Sequence, residues 1–200
     1  LANTLIERIQ IIESYLLPSI NYSDNKSLKY TFSSLAIDAN QLKTLNLTGN
    51  NFTEIPEFIG NLTQLEELDL SYNNLSTFPE FIGNLKKLKA LRFGHNKFSK
   101  IPESLGELNE LTELFLNNVN TTEFPNLHGK LNKLTYLNFS ENNLTEIPEY
   151  IGNLKELINL DLSKNKLKVI PKFIGNLNHD PSDIEYYHEI KNKIEQSRCP

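Results

Sequence analysis

The sequence predicts an α/β solenoid, in which short parallel strands stack along one side and an amphipathic helix covers each end. Two observations lead to this fold class. A leucine-rich pattern repeats six times at a fixed step of 23 residues. Each unit also contains an L-x-L alternation, which is the period of a strand with one buried face. Because one unit is too short to bury its own apolar side chains, we expect stability to come from stacking against its neighbours.

The composition suits a single domain with a sizeable core. The chain has 200 residues, of which 38% are hydrophobic and 22% are charged, and it contains 33 Leu and 27 Asn. The net charge of -5 argues against partners such as nucleic acid or an anionic membrane surface. The longest apolar runs are only a few residues, so we expect no insertion into a membrane. The single cysteine excludes an intrachain disulfide.

Residues 1–41 precede the repeats and predict an N-terminal helical cap. Apolar residues follow steps of three and four through residues 1–17 and form one stripe of an amphipathic helix, which Pro18 ends. Residues 19–41 are polar and predict a loop and an irregular strand. A helix that binds a partner is the alternative, but we favour a cap because the first layer of leucines needs cover. Because the chain begins at Leu1, we expect it to be a processed or trimmed product.

Six units of 23 residues occupy residues 42–177. The first leucine of each unit stands at Leu42, Leu65, Leu88, Leu111, Leu134 and Leu157. A proline, which fixes φ, recurs at Pro56, Pro79, Pro102, Pro125, Pro148 and Pro171. An asparagine recurs in five of the six units, at Asn50, Asn73, Asn96, Asn142 and Asn165. The alternation predicts strands that begin near residues 44, 67, 90, 113, 136 and 159.

The full pattern, L-x-x-L-x-L-x-x-N-x-L-x-x-I-P-x-x-I-G-N-L, resembles the typical 23-residue repeat of leucine-rich-repeat proteins. The resemblance covers about two thirds of the chain, and it implies a right-handed horseshoe arc with a parallel β-sheet on the concave side. It also implies that the recurring asparagine fills the turn after each strand and bonds the backbone of neighbouring turns. A side-chain amide buried without such partners would be costly.

The fourth unit departs from the pattern. Val119 replaces the asparagine, Thr121 replaces the next leucine, and His128 replaces the convex isoleucine. Drift in one unit, compensated by its neighbours, is our preferred interpretation. The alternative is a locally reshaped rim beside Phe115.

Residues 178–200 predict a C-terminal helical cap. Asp180 and Pro181 suit the start of a helix, and apolar residues from Ile184 to Ile194 form a stripe. Cys199 lies next to the terminus, where we expect a free and frayed thiol.

No constellation typical of catalysis is found in the sequence. The four histidines, His95, His128, His179 and His188, are far apart and lack the spacing of metal ligands. No segment resembles a nucleophile elbow. We therefore expect no enzymatic activity, no cofactor and no bound metal.

The outward positions of the predicted strands form the candidate binding surface. In a solenoid these positions are free to vary, and six strands at about 4.8 Å spacing make a face roughly 24 Å wide. The predicted protein-binding residues are Glu67, Asp69, Tyr72, Arg92, His95, Glu113, Phe115, Asn117, Tyr136, Asn138 and Asp161.

The middle of this surface is the preferred contact point. We expect Tyr72, Arg92, His95, Phe115 and Tyr136 to converge there, because aromatic residues and arginine are the usual types at binding hot spots. The surrounding acidic residues favour a partner with a basic rim. The alternative is that Phe115 is simply a tolerated exposed apolar residue.

Two groups of the family match the I-P-x-x-I-G-N-L segment. One contains surface or secreted proteins of pathogenic bacteria, spirochaetes especially, and the other contains intracellular eukaryotic scaffolds that bind small GTPases. Extracellular animal receptors normally have cysteine-rich caps, and plant receptor ectodomains usually add a Gly-rich strand motif, neither of which occurs in this sequence.

The resemblance therefore implies a non-enzymatic protein-binding module of a bacterial secreted or surface protein that contacts host proteins. We expect a protein partner and a monomeric state. The alternatives are a cytoplasmic scaffold that binds a signalling protein such as a small GTPase, and the recognition domain of a larger effector or enzyme.

Overall fold

The computed structural model describes residues 42–127, 130–169 and 171–177. The two predicted helical caps, residues 1–41 and 178–200, lie outside the described residues and stay predictions. The same holds for Cys199 and for three of the four histidines, His128, His179 and His188.

Six short strands form one parallel sheet in chain order. The strands are β1 (Thr44–Asn46), β2 (Glu67–Asp69), β3 (Ala90–Arg92), β4 (Glu113–Phe115), β5 (Tyr136–Asn138) and β6 (Asn159–Asp161). Each strand pairs with the next at a step of 23 residues, so that Leu45 lies opposite Leu68 and Leu137 opposite Leu160. The prediction of six parallel strands with these starts is confirmed.

The central leucine of every strand points into the core. These residues are at most 3% exposed: Leu45, Leu68, Leu91, Leu114, Leu137 and Leu160. The residues on either side point away from the core, because successive side chains of a strand alternate between faces. Ala90 has an outward position but is only 6% exposed. Its side chain is short and stands between Glu67 and Glu113 in the sheet register.

A short 3-10 helix follows the proline in five of the six units. These helices are Glu57–Asn61, Glu80–Asn84, Glu103–Glu107, Glu149–Asn153 and Lys172–Asn176. Proline suits the position before them, because its φ is fixed and a helix start needs no backbone donor there. Its carbonyl accepts the first helical bond, as from the Ile59 amide to Pro56 at 3.1 Å. The described part of the fourth unit, which lacks residues 128 and 129, contains no such helix.

The core packs across the boundaries between units. Phe78 of the second unit stacks on Phe93 of the third, with 4.5 Å between ring centroids. Phe98 meets these two rings edge-on at 5.3 and 5.7 Å. Stacked and edge-to-face pairs are the arrangements that aromatic rings prefer, so this contact ties two neighbouring units together.

Asparagines form a buried hydrogen-bond ladder beside the strands. The Asn73 amide nitrogen donates to the carbonyls of Leu47 and Leu70 at 2.9 and 3.0 Å, and its oxygen accepts from the amides of Asn50 and Phe52. The same pattern of donation recurs at Asn96, Asn142 and Asn165. The ladder that the resemblance implies is therefore present, and each member links its own unit to the one before.

The ladder has a gap in the fourth unit. Val119 is fully buried in place of an asparagine, so it cannot offer an acceptor to the Phe98 amide of the third unit. Asn142 compensates on the other side, because its oxygen accepts from the amides of Val119 and Thr121 at 3.1 and 3.2 Å. The buried Thr121 hydroxyl donates to the Glu123 carbonyl at 2.8 Å. The substituted side chains are thus accommodated, but one link between the third and fourth units is missing.

The ladder predicts that two adjacent asparagines, Asn73 and Asn74, contribute very differently to the free energy of unfolding. Asn73→Ala leaves buried carbonyl and amide groups without partners and should lower the free energy of unfolding by ~1–3 kcal/mol. Asn74→Ala removes only an exposed side-chain bond of 3.4 Å to Asn51 and should change it far less. Urea unfolding of both variants measures the difference. Equal midpoints would contradict the structural role of the ladder.

A row of ion pairs lies directly before β1, β2 and β3, at the end of the strands opposite to the asparagine ladder. The Glu66 carboxylate lies 2.8 Å from the Lys43 ammonium and 2.6 Å from the Lys89 ammonium. These two hydrogen bonds, one from each neighbouring unit, lower the pKa of Glu66 from its usual 4.5 to about 2. The three charges thus bridge three consecutive units.

This shift predicts an acid-dependent loss of stability. A carboxyl group with a lowered pKa in the folded chain contributes stability above pH 4.5, and the contribution disappears as the pH falls towards 2. Glu66→Gln should therefore flatten the dependence of the urea midpoint on pH in that window. Glu57→Gln, which removes an exposed carboxylate from a 3-10 helix, is the control and should leave the slope unchanged. Equal slopes for wild type and Glu66→Gln would refute the prediction.

Candidate functional site

The outward side chains of β3, β4 and β5 form a contact cluster at the centre of the sheet. We call Arg92, Glu113, Phe115 and Tyr136 the central cluster. Arg92 donates to the Glu113 carboxylate at 2.7 Å, and its guanidinium carbon lies 5.2 Å from the centroid of the Phe115 ring. Phe115 stacks on Tyr136 at 4.8 Å between centroids. All four side chains are half-buried, because each covers part of its neighbour.

A second group lies in the turns that follow β2, β3 and β4. Tyr72 stacks on His95 with 4.2 Å between ring centroids and 12° between the planes. The His95 ring nitrogens lie 3.2 Å from the side-chain nitrogens of Asn117 and Asn118. Gly94 makes room for this arrangement, since a Cβ there would lie 2.4 Å from the Asn117 oxygen. We call Tyr72, His95, Asn117 and Asn118 the turn cluster. The five residues expected to converge therefore lie in two groups: Arg92, Phe115 and Tyr136 belong to the central cluster, and Tyr72 and His95 belong to the turn cluster.

The turn cluster is part of a continuous row with an unusual backbone. In every unit the residue at this step has a positive φ, between 54° and 70°: Gly49, Tyr72, His95, Asn118, Glu141 and Lys164. We call these residues the rim row. From Tyr72 to Lys164 their side chains touch from unit to unit, through the stacked rings, the contact of His95 with Asn118, a bond of 3.4 Å from Asn118 to Glu141, and an ion pair of 2.6 Å between Glu141 and Lys164. The hydrogen bond from Lys164 lowers the pKa of Glu141.

The predicted binding residues include only Tyr72 and His95 of the rim row and omit Gly49, Asn118, Glu141 and Lys164. The available signal was the 23-residue step, since every member directly precedes the asparagine column. Gly49 in the first unit hints at a positive φ, which glycine adopts without a steric penalty. Tyr72 and His95 occupy the same step, and neither residue type indicates a positive φ.

Several predicted binding residues also support the backbone. The side-chain oxygens of Asn46, Asp69, Asn138 and Asp161 accept a hydrogen bond from the amide two residues later, at 2.9–3.0 Å. This local bond is typical of Asn and Asp in turns. The two strands that lack it are β3 and β4, where Arg92 and Phe115 occupy the equivalent position. The bond was not foreseen from the sequence, although an Asx-x-Ser/Thr spacing marks it in all four units.

Only some of the charged residues on the outward face of the sheet have an ion-pair partner among the described residues. Glu67, Asp69 and Asp161 point outward from the sheet, and within the described residues none of them has an ion pair, whereas Glu113 is paired with Arg92. Tyr72 is 62% exposed and is the most open aromatic ring of the surface. The face thus offers apolar rings between carboxylates.

A groove of about 450 Å³ lies on the opposite side of the solenoid, near the fourth unit. Phe124 and Pro125 line one wall, and residues 100–104 line the other. Beside this groove, the Tyr150 hydroxyl donates to the Pro125 carbonyl at 2.6 Å. Burial raises the pKa of this hydroxyl.

Within the described ranges, no group of three or more His, Cys, Asp or Glu side chains is arranged to hold a metal ion. No helix in the same part of the chain has both the length and the apolar character that crossing a membrane requires.

The positive φ of the rim row predicts that glycine is more stable than alanine at a rim-row position, the reverse of their order in a strand. Tyr72→Gly and Tyr72→Ala both lose the stacking on His95, but only glycine removes the steric cost of the positive φ. Tyr72→Gly should therefore be more stable than Tyr72→Ala by ~1 kcal/mol. At Phe115, which lies in a strand, alanine should be more stable than glycine by ~0.5–1 kcal/mol. Thermal unfolding of the four variants tests the inversion, and the same order at both positions would contradict it.

The comparisons with known proteins agree with this geometry. A sequence profile described as a leucine-rich repeat region matches residues 21–135, and a profile of the single leucine-rich repeat matches residues 133–154 and 156–177. No curated protein sequence shows significant similarity to the chain.

Several solved structures are similar. The leucine-rich-repeat ectodomain of the plant membrane receptor kinase GASSHO1/SCHENGEN3 from Arabidopsis thaliana, in complex with CASPARIAN STRIP INTEGRITY FACTOR 2, is 39% identical with a TM-score of 0.64. That match covers 70% of this chain and 18% of that one. The plant peptide hormone receptor RGFR1 in complex with RGF2 is 32% identical, with a TM-score of 0.63 and coverages of 72% and 24%.

A bacterial structure also matches. An internalin (inlF) from Listeria monocytogenes is 23% identical, with a TM-score of 0.56 and coverages of 70% of this chain and 46% of that one. This likeness concerns the fold alone. The chain spans about a fifth of the plant receptor kinase ectodomain and about a quarter of RGFR1, so it corresponds to a part of each. Since the repeat-region profile covers more than half of the sequence and the six-stranded sheet agrees with it, the chain belongs to the leucine-rich-repeat family.

Proposed function

We propose that the chain is a non-enzymatic protein-binding module and that its partner docks on the outward face of the sheet, over the central cluster. One observation carries the proposal. Four of the six strands end in an Asn or Asp that bonds the following turn, whereas the two adjacent strands β3 and β4 end in Arg92 and Phe115.

This exchange has a cost for the fold. Arg92 and Phe115 do not supply the turn acceptor, so the amides of Gly94 and Asn117 lose a bond worth about 0.5–1.5 kcal/mol each. In return, the face gains a guanidinium and an aromatic ring next to Tyr136. Arginine and aromatic residues are enriched at the centres of protein interfaces. Retention of these side chains at the expense of a structural bond supports a role in binding.

The turn cluster supports the same location. Tyr72 and His95 adopt a positive φ that costs about 1–2 kcal/mol per non-glycine residue, although Gly49 occupies the equivalent position without that cost. The same φ occurs at Asn118, Glu141 and Lys164, so it belongs to the repeat and fixes where the two rings lie. The stacked, mostly exposed Tyr72 ring extends the apolar area of the central cluster towards the rim.

The solved relatives support a protein or peptide as the ligand class. The plant receptors that match this chain are in complex with CASPARIAN STRIP INTEGRITY FACTOR 2 and RGF2. A face of six strands, roughly 24 Å wide at about 4.8 Å per strand, has the size of one side of an ordinary protein interface.

The biological setting belongs to the same proposal. We place the module in a bacterial secreted or surface protein that contacts host proteins, as a monomer with helical caps at residues 1–41 and 178–200. The I-P-x-x-I-G-N-L segment and the lack of cysteine-rich caps support this setting. A cytoplasmic scaffold and the recognition domain of a larger effector are the alternatives. The gene sequence that surrounds this chain tests them, since an export signal supports the first and an adjoining catalytic domain the last.

Selection of ligands on the immobilised chain tests the binding face. Peptides selected from a random dodecapeptide display library should lose at least about tenfold in affinity with Phe115→Ala, because truncation of a hot-spot ring costs ~1–2 kcal/mol or more. The variant should lose no more than ~1.5 kcal/mol of stability, the worth of a stacked pair beyond its burial.

Phe81→Ala provides the matched control. Phe81 is a half-buried phenylalanine of the second 3-10 helix, on the side of the solenoid away from the outward sheet face. Its truncation should leave the affinity of the selected peptides unchanged. Failure to enrich any peptide, or equal losses for the two variants, would contradict docking on the sheet.

A further inference from the structure

The last residue of each strand forms a straight row across the sheet. Register pairing aligns its members one after another: Asn46, Asp69, Arg92, Phe115, Asn138 and Asp161. We call this set the outward row. Neighbouring members are one strand apart, about 4.8 Å, so Phe115 lies about 10 Å from the positions of Asp69 and Asp161.

The row has a symmetric arrangement of charge around an apolar centre. Asp69 lies two strands before Phe115, and Asp161 lies two strands after it. Each aspartate uses one carboxylate oxygen for its turn amide and has no ion pair among the described residues. Glu67 adds a further exposed carboxylate on the strand of Asp69.

The single cation of the row does not cancel this pattern. Arg92 stands between Asp69 and Phe115, but Glu113 accepts a hydrogen bond from it at 2.7 Å. The pair is locally neutral and the guanidinium lies against the Phe115 ring. A ligand that crosses the row therefore meets carboxylate, neutral apolar surface, and carboxylate in turn.

We propose that the sheet binds an extended peptide segment that lies across the strands and has a basic residue on each side of an apolar or aromatic one. The inference rests on the proposed function, since it specifies the ligand of the same face. An extended chain in the polyproline II conformation advances about 3.1 Å per residue with three residues per turn, so about three residues span two strands and side chains three positions apart point to the same side. The spacing thus predicts the pattern basic-x-x-apolar-x-x-basic, with the apolar side chain on Phe115 and Tyr136 and the basic ones over Asp69 and Asp161.

The same distance excludes a helical ligand of similar spacing. A helix rises 1.5 Å per residue, so its basic residues would stand about six or seven positions from the apolar one. The pattern in the bound sequence therefore reports its conformation as well as its charge.

The sequence of the selected peptides is the first test. Dodecapeptides enriched on the wild-type chain should share Lys or Arg three positions before and three positions after a large apolar residue. Acidic flanks, no shared charge, or basic residues only at helical spacing would overturn the inference.

Charge neutralisation is the second test, and the chain itself supplies a conservative substitution. Asn46 and Asn138 make the same turn bond as the aspartates, so Asp69→Asn and Asp161→Asn remove charge and keep the bond. The triple variant with Glu67→Gln should bind a selected peptide about five- to tenfold more weakly and with a reduced salt dependence, as expected for several solvent-exposed ion pairs. Its melting temperature should not change.

A control variant with the same loss of charge separates local from global effects. Glu57→Gln, Glu103→Gln and Glu149→Gln remove three exposed carboxylates from the 3-10 helices, away from the sheet face. This variant should bind the peptide like the wild type. Equal weakening in both triple variants would overturn the inference, because it would indicate attraction by net charge alone.

The outcomes distinguish the two proposals. Enriched peptides that depend on Phe115 but lack basic flanks leave docking on the sheet intact and refute the ligand pattern. Peptides that bind equally to Phe115→Ala, or no enrichment at all, refute both.

Discussion

An asparagine side-chain amide in the turn after β2, β3, β5 and β6 is the interaction on which the fold depends. Its donors bind one carbonyl of its own unit and one of the preceding unit, while its oxygen accepts backbone amides of the preceding unit. The turn backbone would otherwise be buried without partners, at a cost of a few kcal/mol per unit. Because the bonds to the preceding unit reach back by 21, 23 and 26 residues, the asparagine fixes the 23-residue step as firmly as the leucines do. Strand register, the position of the rim row and the alignment of the outward row all follow from that step.

The same constraint decides which side chains are free to take part in binding. Inward positions are committed to the core, and four of the six ends of strands are committed to a local turn bond. Arg92 and Phe115 are exempt from both tasks, and they lie side by side in the register. The proposed binding site is therefore centred on the two strands that lack the turn bond, rather than spread over all outward residues.

The sequence predicted the strands to the residue, because the L-x-L alternation and a constant period leave no freedom of register. The central cluster was also predictable, since Arg92, Phe115 and Tyr136 share one face at steps of one strand. The rim row was not, because a positive φ at Tyr72 or His95 has no signature in residue type. The turn bond of Asp69 and Asp161 was likewise missed, and these residues were assigned to binding alone. Nor could the sequence show that Phe115 is half-buried, which results from its contacts with Arg92 and Tyr136.

The missing asparagine at Val119 has a consequence for cooperativity. In a stacked array each unit is stabilised by its neighbours, so the joint between the third and fourth units is weaker by the bonds that Val119 cannot make. The contacts of Arg92 with Glu113 and Phe115, and of His95 with Asn117 and Asn118, cross that same joint on the surface. A ligand that contacts both units would stabilise the interface between the third and fourth units. Occupancy and cooperative folding would thereby be thermodynamically linked, and the bound solenoid would unfold as a more unified block than the free one.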